Sequence, residues 1–236
     1  KLWNRLASGS YFPPPVKEVE IPKKDGKVRK LGIPTIADRV AQMVVKEYLE
    51  ARFEKIFSPN SYGYRPDRNA HQALEKVRQN CRKTDWVIDL DIKGFFDNID
   101  HERLMLAVQK HVPEKWCLLY IQRWLTMPVQ TKSGELIQKQ GKGTPQGGVI
   151  SPLLANLFLH YALDRWLTVR HPDIPFCRYA DDGILRCRSE REAQYLHSQL
   201  DMREVDPIAI HRDAQQTSIL ACVCPGCSDK SPSAPC

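Results

Sequence analysis

Residues 86–92 alternate between apolar and acidic side chains, and this pattern strongly limits the local fold. Trp86, Ile88, Leu90 and Ile92 take every second position, while Val87, Asp89 and Asp91 lie between them. Because strand side chains point alternately to two faces, the segment predicts a β-strand that carries Asp89 and Asp91 on one face. Two such carboxylates repel each other unless a cation or basic group lies between them, which is typical of a metal site. Exposed acids at a strand end would give the same pattern. A phosphatase-type Asp-x-Asp nucleophile is a third reading, although such motifs usually continue with Gly-Thr or Gly-Val.

A second acidic group lies in Ala180-Asp181-Asp182-Gly183, between apolar runs at residues 176–179 and 184–185. Asp and Gly favour tight turns, so the segment predicts a strand–turn–strand unit. Its acids could form a solvated turn. If the Asp91 strand lies alongside, however, three carboxylates converge, and such a group can hold two Mg²⁺ ions about 3.5–4 Å apart for in-line phosphoryl transfer.

The remaining patterns predict an α+β fold. Residues 16–21 and 27–33 are strand-forming runs joined by Asp25-Gly26, which predicts a hairpin with a basic rim. Residues 38–57 predict a helix, with an apolar face formed by Val40, Met43, Val44, Tyr48 and Ala51. Further helices are expected over residues 69–81, 101–111 and 114–125, and from Pro152 onward.

Charge and composition limit the function classes. The chain of 236 residues has 35 Lys and Arg against 28 Asp and Glu, a net charge of +7, which favours a polyanionic partner such as nucleic acid. No apolar run is long enough to span a bilayer and no secretory signal is visible, so no membrane partner is expected. Cys81, Cys117, Cys177 and Cys187 are expected to be small buried hydrophobes in a reducing, cytoplasmic setting.

Five sequence boxes resemble the group II intron reverse transcriptase/maturase family, in the order expected for it. The signature is Tyr179-Ala180-Asp181-Asp182. The first two of the other boxes are Arg29-Lys30-Leu31-Gly32-Ile33-Pro34 with Asp38-Arg39 and Gln42, and Ser61-Tyr62-Gly63-Tyr64-Arg65-Pro66. The remaining two are Asp91-Ile92-Lys93-Gly94-Phe95-Phe96-Asp97-Asn98-Ile99, and Gly143-Thr144-Pro145-Gln146-Gly147-Gly148 followed by Ser151-Pro152-Leu153. Each box alone is modestly specific, but five in order leave little room for chance. The resemblance implies a right-hand polymerase without a thumb: fingers over residues 1–84 and a palm over residues 85–200.

The resemblance also assigns roles. Asp91, Asp181 and Asp182 would be catalytic carboxylates that hold two Mg²⁺, with the Ile92 carbonyl as a further ligand. Lys23 and Arg29 would grip the incoming triphosphate, Phe96 would lie under the sugar and select deoxynucleotides, and Gln146 would line the nucleotide pocket. The implied function is RNA-directed DNA synthesis on an RNA template, such as intron RNA, from a DNA or RNA primer with deoxynucleoside triphosphates, together with splicing assistance.

Residues 201–236 do not continue these patterns. No amphipathic helix or palm strand is recognisable after Leu200, so we expect a disordered or frameshifted tail and a chain truncated after the Tyr-Ala-Asp-Asp box. Cys224 and Cys227 form one pair, and Cys222, Cys236 and His211 lie apart from it, whereas structural zinc sites usually bring two spaced pairs; we expect no zinc. Two alternatives remain: an RNA-binding remnant that cannot polymerise, and a nucleotidyl cyclase on a palm-like fold, which the Pro145-Gln146-Gly147 and residue 61–66 boxes disfavour.

Overall fold

The computed structural model describes residues 1–22, 28–81, 86–92, 94–205 and 218–221. The chain divides into two compact units, each made of two chain segments. The first contains residues 1–57 and 94–158, and the second contains residues 58–93 and 159–236. Mixed helices and strands in both units confirm the α+β fold class.

The first unit is built on a four-stranded sheet in the order β2-β1-β4-β5. The two strands of the predicted basic hairpin form an antiparallel pair, and β1 also runs parallel to β4. The predicted Asp25-Gly26 turn between them lies outside the described residues. The strands of this unit are β1 (Val16–Pro22), β2 (Val28–Ile33), β4 (Val129–Gln130) and β5 (Leu136–Ile137). Its helices are α1 (Leu2–Ala7), α2 (Ile36–Glu54), α4 (Phe95–Asn98), α5 (His101–Gln109), α6 (Lys115–Thr126) and α7 (Ser151–Leu159), which extends one residue into the second unit.

Helix α2 begins at a side-chain cap, since the Thr35 hydroxyl accepts a hydrogen bond from the Asp38 amide at 3.2 Å. The predicted apolar face of this helix was wrong. The structure buries Ala41, Val45, Leu49 and Phe53 together with Asp38 and Gln42, whereas Val40, Met43, Val44, Tyr48 and Ala51 are exposed. The two buried polar side chains find hydrogen-bond partners elsewhere in the unit, which makes this half-polar face the inner one.

The second unit carries a four-stranded sheet in the order β6-β7-β3-β8. All its neighbouring strands are antiparallel. The strands are β3 (Trp86–Asp91), β6 (Phe176–Tyr179), β7 (Asp182–Cys187) and β8 (Ser218–Ala221), and helices α3 (Ala70–Cys81) and α9 (Glu190–Val205) contact this sheet. A π-helical turn, His160–Asp164, leads into α8 (Arg165–Arg170).

The end of the chain departs from the sequence expectation. Residues 201–205 continue α9, and Ser218–Ala221 form β8, which pairs with β3 from Asp89 to Trp86. The expectation of an unstructured tail therefore does not hold for these segments, because a partner strand more than a hundred residues away orders a short run that has little local signal. The residues considered for zinc, from His211 to Cys236, lie outside the described residues, so the expectation of no zinc site stays a prediction.

The predicted burial of the four cysteines is confirmed for three of them and not for Cys81. Cys117, Cys177 and Cys187 are buried and Cys81 is half-buried. Within the described part of the chain, no helix is both long and apolar enough to cross a membrane.

Candidate active site

The pairing of β3 with β7 places acidic side chains next to each other in the second unit. In this register Asp91 is directly opposite Asp182, and Leu90 is opposite Gly183. Directly opposed residues of antiparallel strands share a face, with Cβ atoms about 4.5–5.5 Å apart. Asp89 lies two residues before Asp91 and therefore belongs to the same face.

A two-residue turn adds the third predicted carboxylate. Tyr179 and Asp182 form the last pair of the β6–β7 hairpin, so Ala180 and Asp181 make the turn. Ala180 has a φ of 58°, and positive φ at the first turn residue is what short hairpin loops require, although it is uncommon for alanine. The turn thus places Asp181 immediately beside Asp182 at the end of the strand pair.

The electrostatics of Asp182 reflect this crowding. Partial removal from water, followed by the negative charges of Asp181, Asp91 and Asp89, raises its pKa to about 6. Taken as a whole residue, Asp182 is nevertheless exposed to solvent, while Asp91 and Asp181 are half-buried. A bound cation would relieve this repulsion, so the arrangement is suited to hold positive charge.

The first unit contains three of the residues predicted to bind a nucleotide, namely Arg29, Phe96 and Gln146. The Arg29 Nε donates to Gln146 Oε1 at 2.7 Å, and Gln146 Nε2 donates to Asp97 Oδ2 at 3.4 Å. The backbone of the same turn is tied to β2, since the Gly32 amide donates to the Gln146 carbonyl at 2.9 Å. A cavity of about 290 Å³ opens here, lined among others by Lys30, Asp97, Lys139, Lys142, Thr144 and Gln146.

Two residues of this cavity titrate abnormally because they are withdrawn from water. Desolvation lowers the pKa of Lys139 to about 8, opposed by the nearby charge of Asp97. Desolvation also raises the pKa of Asp97, opposed by Lys139, Gln146 and Arg29. In both side chains the effect of burial on the pKa outweighs the attraction between the two charges, which indicates a poorly hydrated pocket. Its lining is rich in cations, since it includes Lys30, Lys139 and Lys142.

Comparison with known proteins identifies the family. Residues 21–204 match the family described as reverse transcriptase (RNA-dependent DNA polymerase). The chain belongs to the reverse transcriptase family. It is 34% identical over 219 residues to Protein YkfC of Escherichia coli, covering 78% of this chain and 57% of that protein. It is 38% identical over 172 residues to the group II intron-encoded protein LtrA of Lactococcus lactis, covering 71% of this chain and 28% of LtrA. The chain thus spans little more than half of one relative and less than a third of the other.

Solved structures show the same fold. The telomerase from Candida albicans, in complex with the TWJ fragment of telomeric RNA, superposes with a TM-score of 0.72 at 13% identity, covering 89% of this chain and 42% of that chain. Apo telomerase from Candida tropicalis gives a TM-score of 0.69 at 12% identity, covering 93% of this chain and 49% of that chain. The expected reverse transcriptase fold and the family resemblance are both confirmed.

Reverse transcriptases generally use divalent metal ions. Among the described residues, no group of three or more His, Cys, Asp or Glu side chains forms a ready-made ion site. Mg²⁺ in polymerase sites is usually bound by one or two carboxylates plus waters and substrate phosphates rather than by an all-protein cage. The opposed Asp91 and Asp182, with Asp181 in the turn, supply the hard oxygen donors that such an ion prefers, and they therefore fit it.

The structure does not test the roles predicted for three further site residues, Phe96, Ile92 and Lys23. Phe96 is only 7% exposed and packs edge-to-face on Phe95, with ring centroids 5.6 Å apart. Its ring is therefore part of the hydrophobic core. Ile92 directly follows β3 and its side chain is buried. Lys23 lies outside the described residues. The roles proposed for these three residues therefore remain predictions.

Sequence reasoning missed a group of residues that hold the Tyr179-Ala180-Asp181-Asp182 turn. The guanidinium of Arg178 binds both Asp164 and the Ala180 carbonyl. The backbone of Gly63 lies so close that a Cβ there would be 2.3 Å from the Ala180 amide nitrogen. A charged residue inside the apolar run at 176–179 was an available signal for Arg178, whereas nothing near Asp164 in the sequence indicated its partner.

The box at residues 61–66 has a visible structural role in the second unit. The Tyr62 amide donates to the Arg178 carbonyl at 2.8 Å, and the Arg178 amide donates to the Asn60 carbonyl at 2.8 Å. Buried Arg65 closes the loop by donating to the carbonyls of Ser58 and Ser61, each at 2.7 Å. This segment therefore supports the acidic hairpin, and its predicted place in template-gripping fingers stays a prediction.

Gln42 and His101 also have structural roles, in the first unit. The buried Gln42 Oε1 accepts a hydrogen bond from the Val149 amide at 2.8 Å, which fixes the chain just after the Gly147-Gly148 pair. The buried His101 Nε2 lies 2.7 Å from the Gly143 carbonyl, and desolvation lowers the pKa of this imidazole, so the neutral ring donates there near neutral pH. Both residues shape the loop that presents Gln146.

Proposed function

We propose that this chain is an RNA-directed DNA polymerase of the group II intron-encoded type. The observation that carries the proposal is the register that sets Asp91 opposite Asp182, with Asp181 in the adjoining turn. Chain positions alone would allow these acids to be unrelated solvated residues. Their convergence is what a phosphoryl-transfer site with bound cations needs, and the raised pKa of Asp182 reflects burial and a repulsion that such cations would relieve.

In the proposed mechanism, Asp91 and Asp181 would hold two Mg²⁺ ions, with Asp182 beside them and the Ile92 carbonyl as a further ligand. When bound, the ions would stabilise charge on the attacking and leaving oxygens of an in-line displacement. The protein contributes the placement of its carboxylates. The sheet fixes Asp91 and Asp182 through backbone pairing, and the tight turn fixes Asp181.

The nucleotide is proposed to bind through Arg29, Gln146, Lys23 and Phe96. The hydrogen bond from Arg29 to Gln146 engages only one of the five guanidinium N–H groups and orients the planar fork that suits phosphate oxygens. Lys23 would add a point charge on the same basic hairpin. The Phe96 ring would exclude a 2′-hydroxyl and so select deoxynucleotides.

The proposed partners are an RNA template, a DNA or RNA primer and deoxynucleoside triphosphates. Two observations support RNA: the net charge of +7, and the relatives, one named a group II intron-encoded protein and one a telomerase solved with telomeric RNA. Intron RNA as the template, and assistance in its splicing, follow from the same likeness.

Single-nucleotide addition tests the proposal without demanding processivity. The purified chain is mixed with an annealed RNA template and DNA primer, Mg²⁺ and one complementary deoxynucleotide. Asp91→Asn and Asp181→Asn should each lower the addition rate by at least about 10²-fold, because each removes a charge on which the transition state depends. Asp89→Asn is the matched control, since it lies on the same face outside the proposed ligand set, and should stay within a few-fold of the unmodified chain.

Two results would count against the proposal. Equal losses in all three variants would mean that general acidity of the sheet face, and not a specific ligand set, supports the reaction. Tight RNA binding without any Mg²⁺-dependent addition would favour the non-enzymatic RNA-binding remnant.

A further inference from the structure

A buried ion pair lies directly behind the acidic turn. The Arg178 side chain is 0% exposed and that of Asp164 is 1% exposed. They bind through two parallel hydrogen bonds, Nε to Oδ1 and Nη2 to Oδ2, both 2.8 Å long. This is the bidentate geometry that makes arginine–carboxylate pairs rigid.

Stability alone does not account for such a pair. The desolvation of two buried charges roughly cancels their attraction, and apolar residues of similar volume are often equally or more stabilising. Arg178 also makes a contact that an apolar replacement could not make. The Arg178 Nη1 donates to the Ala180 carbonyl at 2.7 Å.

That contact falls on the peptide group that joins Ala180 to Asp181. Because a peptide group is planar, holding the Ala180 oxygen also fixes the direction in which the backbone enters Asp181. Ala180 has a left-handed φ of 58°, a strained backbone conformation for a residue with a Cβ. The charge-assisted hydrogen bond thus opposes relaxation of a strained residue beside the predicted metal ligands.

The helix that carries Asp164 is itself irregular. Asp164 is the last residue of the π-helical turn His160–Asp164, after which the chain returns to α-helix. The π-helix is rare and appears mostly as single turns inside α-helices, frequently at functional sites. The Thr168 hydroxyl donates to the Asp164 carbonyl at 2.8 Å and ties the turn to α8.

We propose that Arg178 and Asp164 form a positioning pair that holds the Ala180–Asp181 peptide in the orientation needed to bind divalent ions. Arg178 makes the contact, and Asp164 orients its guanidinium. The inference rests on the proposed function, because it assumes that Asp91 and Asp181 bind metal. It adds two positioning residues, Arg178 and Asp164, which both lie outside the five sequence boxes.

The decisive variant replaces the pair with apolar residues of similar volume, Arg178→Met with Asp164→Leu. Mn²⁺ binding to the purified full chain is measured by electron paramagnetic resonance, and thermal melting is recorded on the same samples. A purely structural pair predicts an unchanged or raised Tm and unchanged Mn²⁺ affinity. A positioning pair predicts the same Tm behaviour together with an increase of about tenfold or more in the Mn²⁺ Kd.

Two further variants keep the test decisive. Arg178→Lys retains a charge for Asp164 but lacks the planar fork, so it should also weaken Mn²⁺ binding even if the double variant fails to fold. Arg52→Met with Glu114→Leu removes a bidentate ion pair from the first unit and should leave Mn²⁺ affinity unchanged.

The possible outcomes distinguish a wrong positioning role from a wrong metal site. If Asp91→Asn abolishes Mn²⁺ binding but neither Arg178 variant changes it, the positioning role is wrong and the proposed metal site stands. If the unmodified chain and Asp91→Asn bind Mn²⁺ equally, the metal site itself is misplaced and the positioning role is wrong with it.

Discussion

Gly63→Ala is the substitution for which the structure gives the sharpest expectation. A Cβ on residue 63 would lie 2.3 Å from the Ala180 nitrogen, 3.0 Å from its Cα and 3.1 Å from its Cβ. The nearest atoms belong to the backbone of a tight turn, so no side-chain rotation can make room. The hairpin tip and the residue 61–66 segment must separate if the methyl group is to fit.

The size of the effect follows from these distances. Reaching 3.0 Å, the lower limit of real Cβ contacts, requires a movement of about 0.7 Å, and an ordinary contact requires about 1.1 Å. Overpacking of this kind typically costs about 1–3 kcal/mol, and two backbones that resist it place Gly63→Ala near the upper end. We expect a loss of about 2–3 kcal/mol in the free energy of unfolding, or roughly 4–12 °C in Tm. A shift of the turn near 1 Å should also lower nucleotide addition about 10²-fold.

Gly183→Ala provides the matched control on the same hairpin. A Cβ at residue 183 would be 3.5 Å from the Leu90 Cδ2, an ordinary contact. Alanine there should be neutral or stabilising by up to about 1 kcal/mol, because it restricts the unfolded chain. Thermal melting, denaturant unfolding and single-nucleotide addition are measured for both variants. If Gly63→Ala melts within about 1 °C of the unmodified chain and keeps its activity, the close approach of Gly63 to Ala180 does not hold the turn.

Three further predictions concern the first unit. Hydrogen bonds from Arg52 lower the pKa of Glu114 to about 2 from its usual 4.5, so its stabilising effect is complete above pH 4.5 and is lost as the pH falls towards 2. Glu114→Gln should therefore melt below the unmodified chain at pH 6, and the two Tm values should converge near pH 2; a pH-independent gap would contradict this. Gln42→Ala removes the acceptor for the Val149 amide and should cost about 1–3 kcal/mol, while Gln42→Glu, which keeps an acceptor, should unfold closer to the unmodified chain in denaturant titrations. Arg29→Ala should raise the KM for deoxynucleotides more than the Kd for RNA, which many dispersed charges share, and equal losses would identify a general binding surface.

The parts of the site that follow a local period could be predicted from the sequence. The alternation at residues 86–92 gave β3 and the side of the strand that carries Asp91, and the turn residues gave the β6–β7 hairpin. The register that sets Asp91 opposite Asp182 could only be inferred from the order of the family boxes. Strand pairing depends on contacts between residues about ninety positions apart, for which no local pattern exists.

The two wrong predictions, the buried face of helix α2 and the absence of strand β8, have a common physical origin: both depend on residues that are distant in the sequence. Helix α2 offers two faces, and its more apolar one is exposed, because Asp38 on the other face accepts hydrogen bonds from Tyr11 and Trp124. Strand β8 was missed because four residues have too little periodicity to be distinguished from a loop. In both places a polar or short segment is ordered by groups that lie elsewhere in the sequence.

The place of β3 inside its sheet also bears on the order in which the chain can fold during synthesis. Both neighbours of β3, β7 and β8, come later in the sequence, and β8 ends at Ala221. Roughly 130 residues must be made after Asp91 before the second edge of β3 is covered, which takes on the order of ten seconds on a ribosome adding about 5–20 residues per second. During that interval the strand that carries Asp91 has unpaired backbone groups along one edge, and such an edge can pair with another chain until β8 covers it.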